Sequence, residues 1–192
     1  QVENLVIDLR HNTGGNPWLC LQLASYIMTD SNPEFERILV TPTKLPSHRK
    51  FMKEKPNFRT RLMGTKPENS LREAVKYEVG LKPIKPKEKN HFDGNVYVII
   101  GAATMSASTM FCKYIMDQEN VTFVGAETMG AINYFWAHDH IKIKLPNLDV
   151  MVNVPLQLLE LEKGSSDSQD PMHLTPDVPI TYSLEDLESG LD

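Results

Sequence analysis

Asn95-Val96-Tyr97-Val98-Ile99-Ile100-Gly101-Ala102-Ala103-Thr104-Met105-Ser106-Ala107-Ser108-Thr109-Met110 holds a strand, a turn and the start of a helix in one stretch. Residues 95–100 are apolar and β-branched and lie between Gly94 and Gly101, the pattern of a buried strand. Past the turn, Ala107, Met110, Phe111, Tyr114 and Ile115 recur at the one-face spacing of an amphipathic helix. Ser106 falls at the handover, where unpaired backbone N–H groups and the positive end of the helix dipole gather. That position suits a hydroxyl attacking a carbonyl, whose developing negative charge the N–H groups would stabilise. It suits equally a Ser106 or Ser108 that only caps the helix.

Upstream, Leu5-Val6-Ile7-Asp8-Leu9-Arg10 reads as a second buried strand, and residues 11–17, His11-Asn12-Thr13-Gly14-Gly15-Asn16-Pro17, as a turn. Trp18 to Thr29 follows as an amphipathic helix with Leu19, Leu23, Tyr26 and Ile27 on one face. Adjacent glycines before a helix let backbone approach a ligand and leave N–H groups exposed, although Gly-Gly is also ordinary turn chemistry. Residues 37–41 make a short strand. Downstream, Val121-Thr122-Phe123-Val124 is another, followed by Gly125-Ala126-Glu127-Thr128-Met129-Gly130. Residues 138–144 and 150–154 alternate as strands around Pro146-Asn147, which predicts a hairpin. Residues 164–169 form a polar loop and 176–180 an extended segment. Ser183 and Asp186 have capping-box spacing at the start of a terminal helix. Strands alternating with helices indicate an α/β layered domain.

The chain has 192 residues, enough for one domain or one domain with an insertion. No apolar run approaches the roughly 20 residues of a membrane span. Gln1 stands only a few residues before a buried strand, with no starting Met, so the chain reads as part of a longer protein. Charge is uneven: residues 44–90 carry 14 Lys/Arg against 5 Asp/Glu, and the remainder 6 against 20. This Lys- and Pro-rich stretch, with one helix expected around residues 69–79, reads as a basic inserted subdomain or lid over residues 44–92. Its lack of interleaved aromatics argues against nucleic acid; it suits a solvated insertion, or attraction for an acidic segment or peptide carboxylate. Cys20 and Cys112 fall in apolar helical patterns and read as buried free thiols.

In this order, Ile7-Asp8-Leu9-Arg10-His11-Asn12-Thr13-Gly14-Gly15, Thr104-Met105-Ser106-Ala107-Ser108, Val124-Gly125-Ala126-Glu127-Thr128-Met129-Gly130 and Thr175-Pro176-Asp177-Val178 resemble the catalytic domain of the carboxyl-terminal processing (tail-specific) serine peptidases. The resemblance spans nearly the whole chain apart from the basic stretch. It implies a crotonase-like α/β spiral of short strands and helices, and cleavage of peptide bonds near protein C-termini. Ser106 matches the family's nucleophile, while Ala107 and one N–H of Gly14-Gly15 match its oxyanion hole. No cofactor or metal is implied. The partners implied are peptide or protein substrates, with neither nucleic acid nor a membrane span, and an oligomer is allowed. The setting implied is the cell envelope, periplasm or exterior.

One departure bears on the chemistry. In the better-known branch a lysine after the Gly-x-x-Thr-x-Gly stretch deprotonates the serine, but here Gly130 is followed by Ala131. A serine hydroxyl is a poor nucleophile until a base takes its proton. A tricorn-like branch uses a histidine upstream of the Asp-Leu-Arg strand and an acid shortly before Pro-Asp. Asp170 falls near that acid's place, and the histidine would lie before Gln1. Within the chain, His11 is a candidate base, or simply a turn histidine. His138 and His140 share the two-residue spacing of one strand face, which can bind metal but lacks a third ligand. Asp117 lies about 16 Å along the helix from Ser106, too far for a direct base. The expected function is a serine peptidase acting through an acyl-enzyme on Ser106. The alternative is an inactive relative binding a peptide or apolar ligand in the same cleft. A crotonase-type acyl-CoA enzyme would leave a nucleophilic serine without a role.

Overall fold

Along the computed structural model the elements are β1 (Asn4–Asp8), α1 (Pro17–Ser25), β2 (Ile38–Pro42), β3 (Ala74–Glu78), β4 (Asn95–Ile100), α2 (Ala107–Ile115), β5 (Val121–Gly125), β6 (Tyr134–Lys144), β7 (Met151–Glu160), β8 (Val178–Pro179) and α3 (Leu184–Ser189). The structure describes residues 2–29, 38–42, 74–78, 84–160, 172–181 and 183–190. They belong to two compact units: Gln1–Glu34 with Lys82–Asn133 and Gln169–Asp192, and Phe35–Leu81 with Tyr134–Ser168.

The first unit is a parallel sheet in the order β1-β4-β5-β8, with Val98 in register between Ile7 and Phe123. Parallel neighbours require long crossovers, and α2 supplies the one from β4 to β5. Alternation along β4 sends Val96, Val98 and Ile100 into the core, while Tyr97 and its neighbour Val6 stay exposed on the opposite face. Every α2 residue except Lys113 is buried, so this helix is the centre of the unit rather than a surface element. It packs against α1, and the Thr29 amide and hydroxyl both donate to Gln118 Oε1, at 2.7 and 2.8 Å.

Helix α1 ends at Ser25, four residues before the end expected from periodicity. Its last carbonyls are taken sideways instead of by another helical turn. The Lys87 amide donates to Ser25 O at 2.7 Å, the Phe92 amide to Tyr26 O at 2.8 Å, and His91 Nε2 lies 2.9 Å from Met28 O. At the other end of the unit, the Ser183 hydroxyl accepts from the Asp186 amide at 3.1 Å while Asp186 Oδ2 accepts from the Ser183 amide at 2.8 Å. This is the reciprocal capping read from the sequence. In the Pro-Asp motif, Asp177 Oδ2 accepts from the Phe123 amide at 2.7 Å and ties β8 to β5.

The second unit is an antiparallel sheet in the order β3-β2-β7-β6. The helix expected around residues 69–79 is corrected over 74–78, which form β3 and pair with β2. Val75 and Tyr77 are strong strand formers, and pairing overrides the weak local helical preference. The expected hairpin is present as β6 and β7, closed by the Leu145 amide donating to Val150 O at 3.0 Å. A register shift between Ala137 and His140 interrupts the regular alternation that the His138–His140 spacing assumed. Among the described residues no three His, Cys, Asp or Glu gather at metal-binding distance, and no helix is long and apolar enough to cross a membrane.

Candidate active site

Ser106 sits between β4 and α2 with φ +57° and ψ −125°, a conformation costly for a residue with a Cβ. Capping does not account for it, because its hydroxyl makes no cap hydrogen bond. The first turn of α2 is held instead through the Ser106 carbonyl, which accepts from the Met110 amide and the Thr109 hydroxyl, each at 2.9 Å. Ser106 thus stands on a sharp strand-to-helix turn with its hydroxyl unused.

Three segments of the first unit close on this turn. Thr104, fully buried, donates its hydroxyl to Leu9 O at 2.7 Å and accepts from the Gly101 amide at 3.0 Å, so it pins the turn to the end of β1. The Met105 amide reaches Asn12 O at 3.3 Å. Gly14 packs so closely that a Cβ there would lie 2.6 Å from Ser106 Cβ and 3.0 Å from the Ala107 nitrogen, and its φ of +104° also favours glycine. On another side, the Gly130 amide donates to Thr104 O at 3.3 Å, and a Cβ on Gly130 would lie 2.5 Å from Met105 Cα. Thr128 then joins this loop to the chain before Pro-Asp: its amide donates to Leu174 O and its hydroxyl accepts from the Leu174 amide, both at 3.1 Å. The glycine turn and the 124–130 loop, far apart in sequence, thus meet at the Ser106 turn, and the chain before Pro-Asp is tied to that loop.

The N–H groups divide clearly. That of Gly14 donates to Asn12 Oδ1 at 3.0 Å. Among the described residues those of Gly15 and Ala107 have no acceptor. Gly15 carries a φ of +154°, and Ala107 is the first residue of α2.

No imidazole or amine hydrogen-bonds Ser106 among the described residues. His11 is exposed in its turn, and Asp117 is exposed beyond the far end of α2. Asp170 lies outside the described residues, as do the side chains of His138 and His140. Asp8 is held ionised, with a pKa lowered to about 2, chiefly by the Arg10 side chain and then the Arg10 amide. The fork from Arg10 to Asp8, 2.8 Å at its shortest, gives the Asp-Leu-Arg motif a structural role. His173 was not singled out from the sequence. It bridges antiparallel to Ala131, the residue at the lysine's place, and its Nδ1 is buried with no hydrogen-bond partner. Only three-dimensional pairing brings residues 131 and 173 together. Neither cysteine forms a disulfide, but only Cys112 is buried, its thiol pushed up to about 12 by desolvation. Cys20 is half-buried and lines a cleft.

Among solved structures, mature CPAF complexed with lactacystin superposes with a TM-score of 0.57 at 15% identity, covering 98% of this chain and 41% of that one. A protein from Parabacteroides merdae ATCC 43184 gives 0.51 at 16%, covering 98% and 48%. The photosystem II D1 C-terminal processing protease gives 0.46 at 14%, covering 93% and 35%. The chain therefore spans less than half the length of each of these three structures. A sequence search against curated proteins gives no match. The model of peptidase family S41 matches residues 1–180, which contain Ser106 and all three segments closing on it, and the chain belongs to that family.

Proposed function

We propose that the protein is a serine peptidase whose nucleophile is Ser106. The observation that carries this reading is the Ser106 backbone, held at φ +57° with its hydroxyl unused and followed by Ala107, whose N–H, like that of Gly15, has no acceptor among the described residues. Strain of this kind persists only where surrounding structure over-determines it, here through Thr104, Gly14 and Gly130. In the reaction, Ser106 Oγ bonds to the carbonyl carbon and its proton passes to a base. The carbonyl oxygen becomes an oxyanion facing Gly15 and Ala107, and the amine leaves with a proton. Water then releases the acyl group by the same steps.

The base comes from outside the described residues, and Asp170 orients it. This is supported by Ala131 at the lysine's place and by the docking of residues 172–174 beside the loop that touches Met105. The parallel sheet and its buried helix agree with a crotonase-like spiral. A second reading, peptide binding without cleavage, is favoured by the absence of any imidazole or amine on Ser106 among the described residues. Peptide cleavage by the full-length protein separates the two. Cleavage abolished by Ser106→Ala supports the peptidase; binding of the same peptides without cleavage supports the second reading.

A further inference from the structure

Helix α1 carries apolar residues on a face that folding leaves open. Leu19 and Leu23, one helical turn apart, are 62% and 43% exposed, while Leu21 and Ala24 fill the core. Burial in the core therefore does not explain Leu19 and Leu23. Both line a cleft of about 260 Å³ whose other apolar walls are Leu9 and Phe111. No charged side chain lines it among the described residues. It is smaller than the roughly 300–1,000 Å³ of sites that hold cofactors or drug-sized ligands, so it has room for one side chain. Gly15 and Ala107, whose N–H groups have no acceptor among the described residues, also line it, and Ala107 directly follows Ser106.

We propose that this cleft receives the side chain of the peptide residue whose carbonyl faces Ser106, and that Leu19, Leu23 and Phe111 make it select Leu, Met or Phe. The inference rests on the reading of Ser106 as the peptide site and adds to it the class of residue bound. A carbonyl oxygen at the Ala107 N–H sets the adjoining side chain against a wall that begins at Ala107 itself. An aliphatic or aromatic group there leaves water for Leu23 and Phe111. A glycine gains nothing, and an aspartate would lose its hydration against Leu19, Leu23 and Phe111 with no cationic side chain among the described lining residues to replace it.

Cys20 lines the same cleft and gives a readout independent of catalysis. It is half-buried, whereas Cys112 is buried and resistant to ionisation, so Cys112 serves as the internal control. The experiment measures iodoacetamide alkylation at Cys20 by peptide mass spectrometry. It uses the full-length Ser106→Ala protein with acetyl-Ala-Ala-Xaa-Ala-Ala-amide, where Xaa is Leu, Phe, Gly or Asp. The Leu and Phe peptides should protect Cys20 at concentrations at least about tenfold lower than the Gly peptide, and the Asp peptide should not protect. Leu23→Asp, a change at an exposed position, should reduce the Leu-over-Gly preference below about threefold. Leu19→Asp, more exposed still, provides the same comparison should Leu23→Asp misfold. Equal protection by all four peptides, protection by none, or an unchanged preference in a folded variant would overturn the assignment. Fluorophosphonate labelling of the wild-type protein is read separately. Unlabelled Ser106 with selective Cys20 protection removes the peptidase and leaves the pocket; labelled Ser106 without selectivity does the reverse.

Discussion

At Ser106 two requirements meet: a backbone conformation that costs free energy, and neighbours that hold it there. Gly14 is the tightest of them. Gly14→Ala would put a methyl 2.6 Å from Ser106 Cβ at a φ of +104°. It should lower stability by about 1–3 kcal/mol and slow reaction of Ser106 with a fluorophosphonate by tenfold or more. Urea unfolding and labelling kinetics check the two parts. Thr104→Val is close to isosteric but leaves the Gly101 amide without its hydroxyl acceptor, at about 1–3 kcal/mol, while Leu9 O keeps the Asn12 amide at 3.0 Å. Thr104→Ser keeps the hydroxyl and should cost less by the same unfolding assay. Because the proposed base lies outside the described residues, His173→Gln should leave labelling of the full-length protein within about twofold. A hundredfold loss, with the near-neutral limb of the pH profile gone, would make His173 the base.

Among the elements, the end of α1 shows what periodicity does not reveal. The apolar pattern continues past Ser25, but the carbonyls of Ser25, Tyr26 and Met28 bond to residues 87–92, which no local rule connects to them. For the same reason β3 resembled a helix: Ala74–Glu78 is decided by pairing with β2, not by its own composition. The turn before α2 was legible because a buried strand, a short turn and a helical period lie next to one another. His91 has a consequence for pH. Nε2 faces the Met28 carbonyl and Nδ1 faces Asp93 Oδ1 at 2.9 Å, so both nitrogens meet acceptors and the doubly protonated ring is favoured. Its pKa is accordingly raised, first by the Met28 carbonyl; burial opposes this, and Asp93 adds to it. The ring stands near the C-terminal end of α1, where positive charge contributes about 0.3–1 kcal/mol. A raised folded-state pKa means that this stabilisation is complete below pH 6.5 and is lost as pH rises through the folded value. The Tm deficit of His91→Gln should therefore be larger at pH 6 than at pH 8.5; an equal deficit would remove the charged ring from the account.

For the whole molecule, the family resemblance rested on motifs that contact one another only after folding. The strand-to-helix turn at Ser106 and the glycine pair were legible because each leaves a local signature, whereas Ala107 was named only through the family resemblance. The bonds of Thr104 and Thr128, and the placement of His173, were not legible, since each depends on a partner 42 to 95 residues away. The central claim is that Ser106 is a nucleophile and not an idle cap, and adduct mapping tests it most directly. The full-length protein is treated with a fluorophosphonate at pH 7–8, digested and sequenced by tandem mass spectrometry, beside its Ser106→Ala variant. The account predicts one phosphonate on Ser106 in the wild type and none in the variant. Equal labelling of the variant, or a folded wild-type protein that stays unmodified, would contradict it.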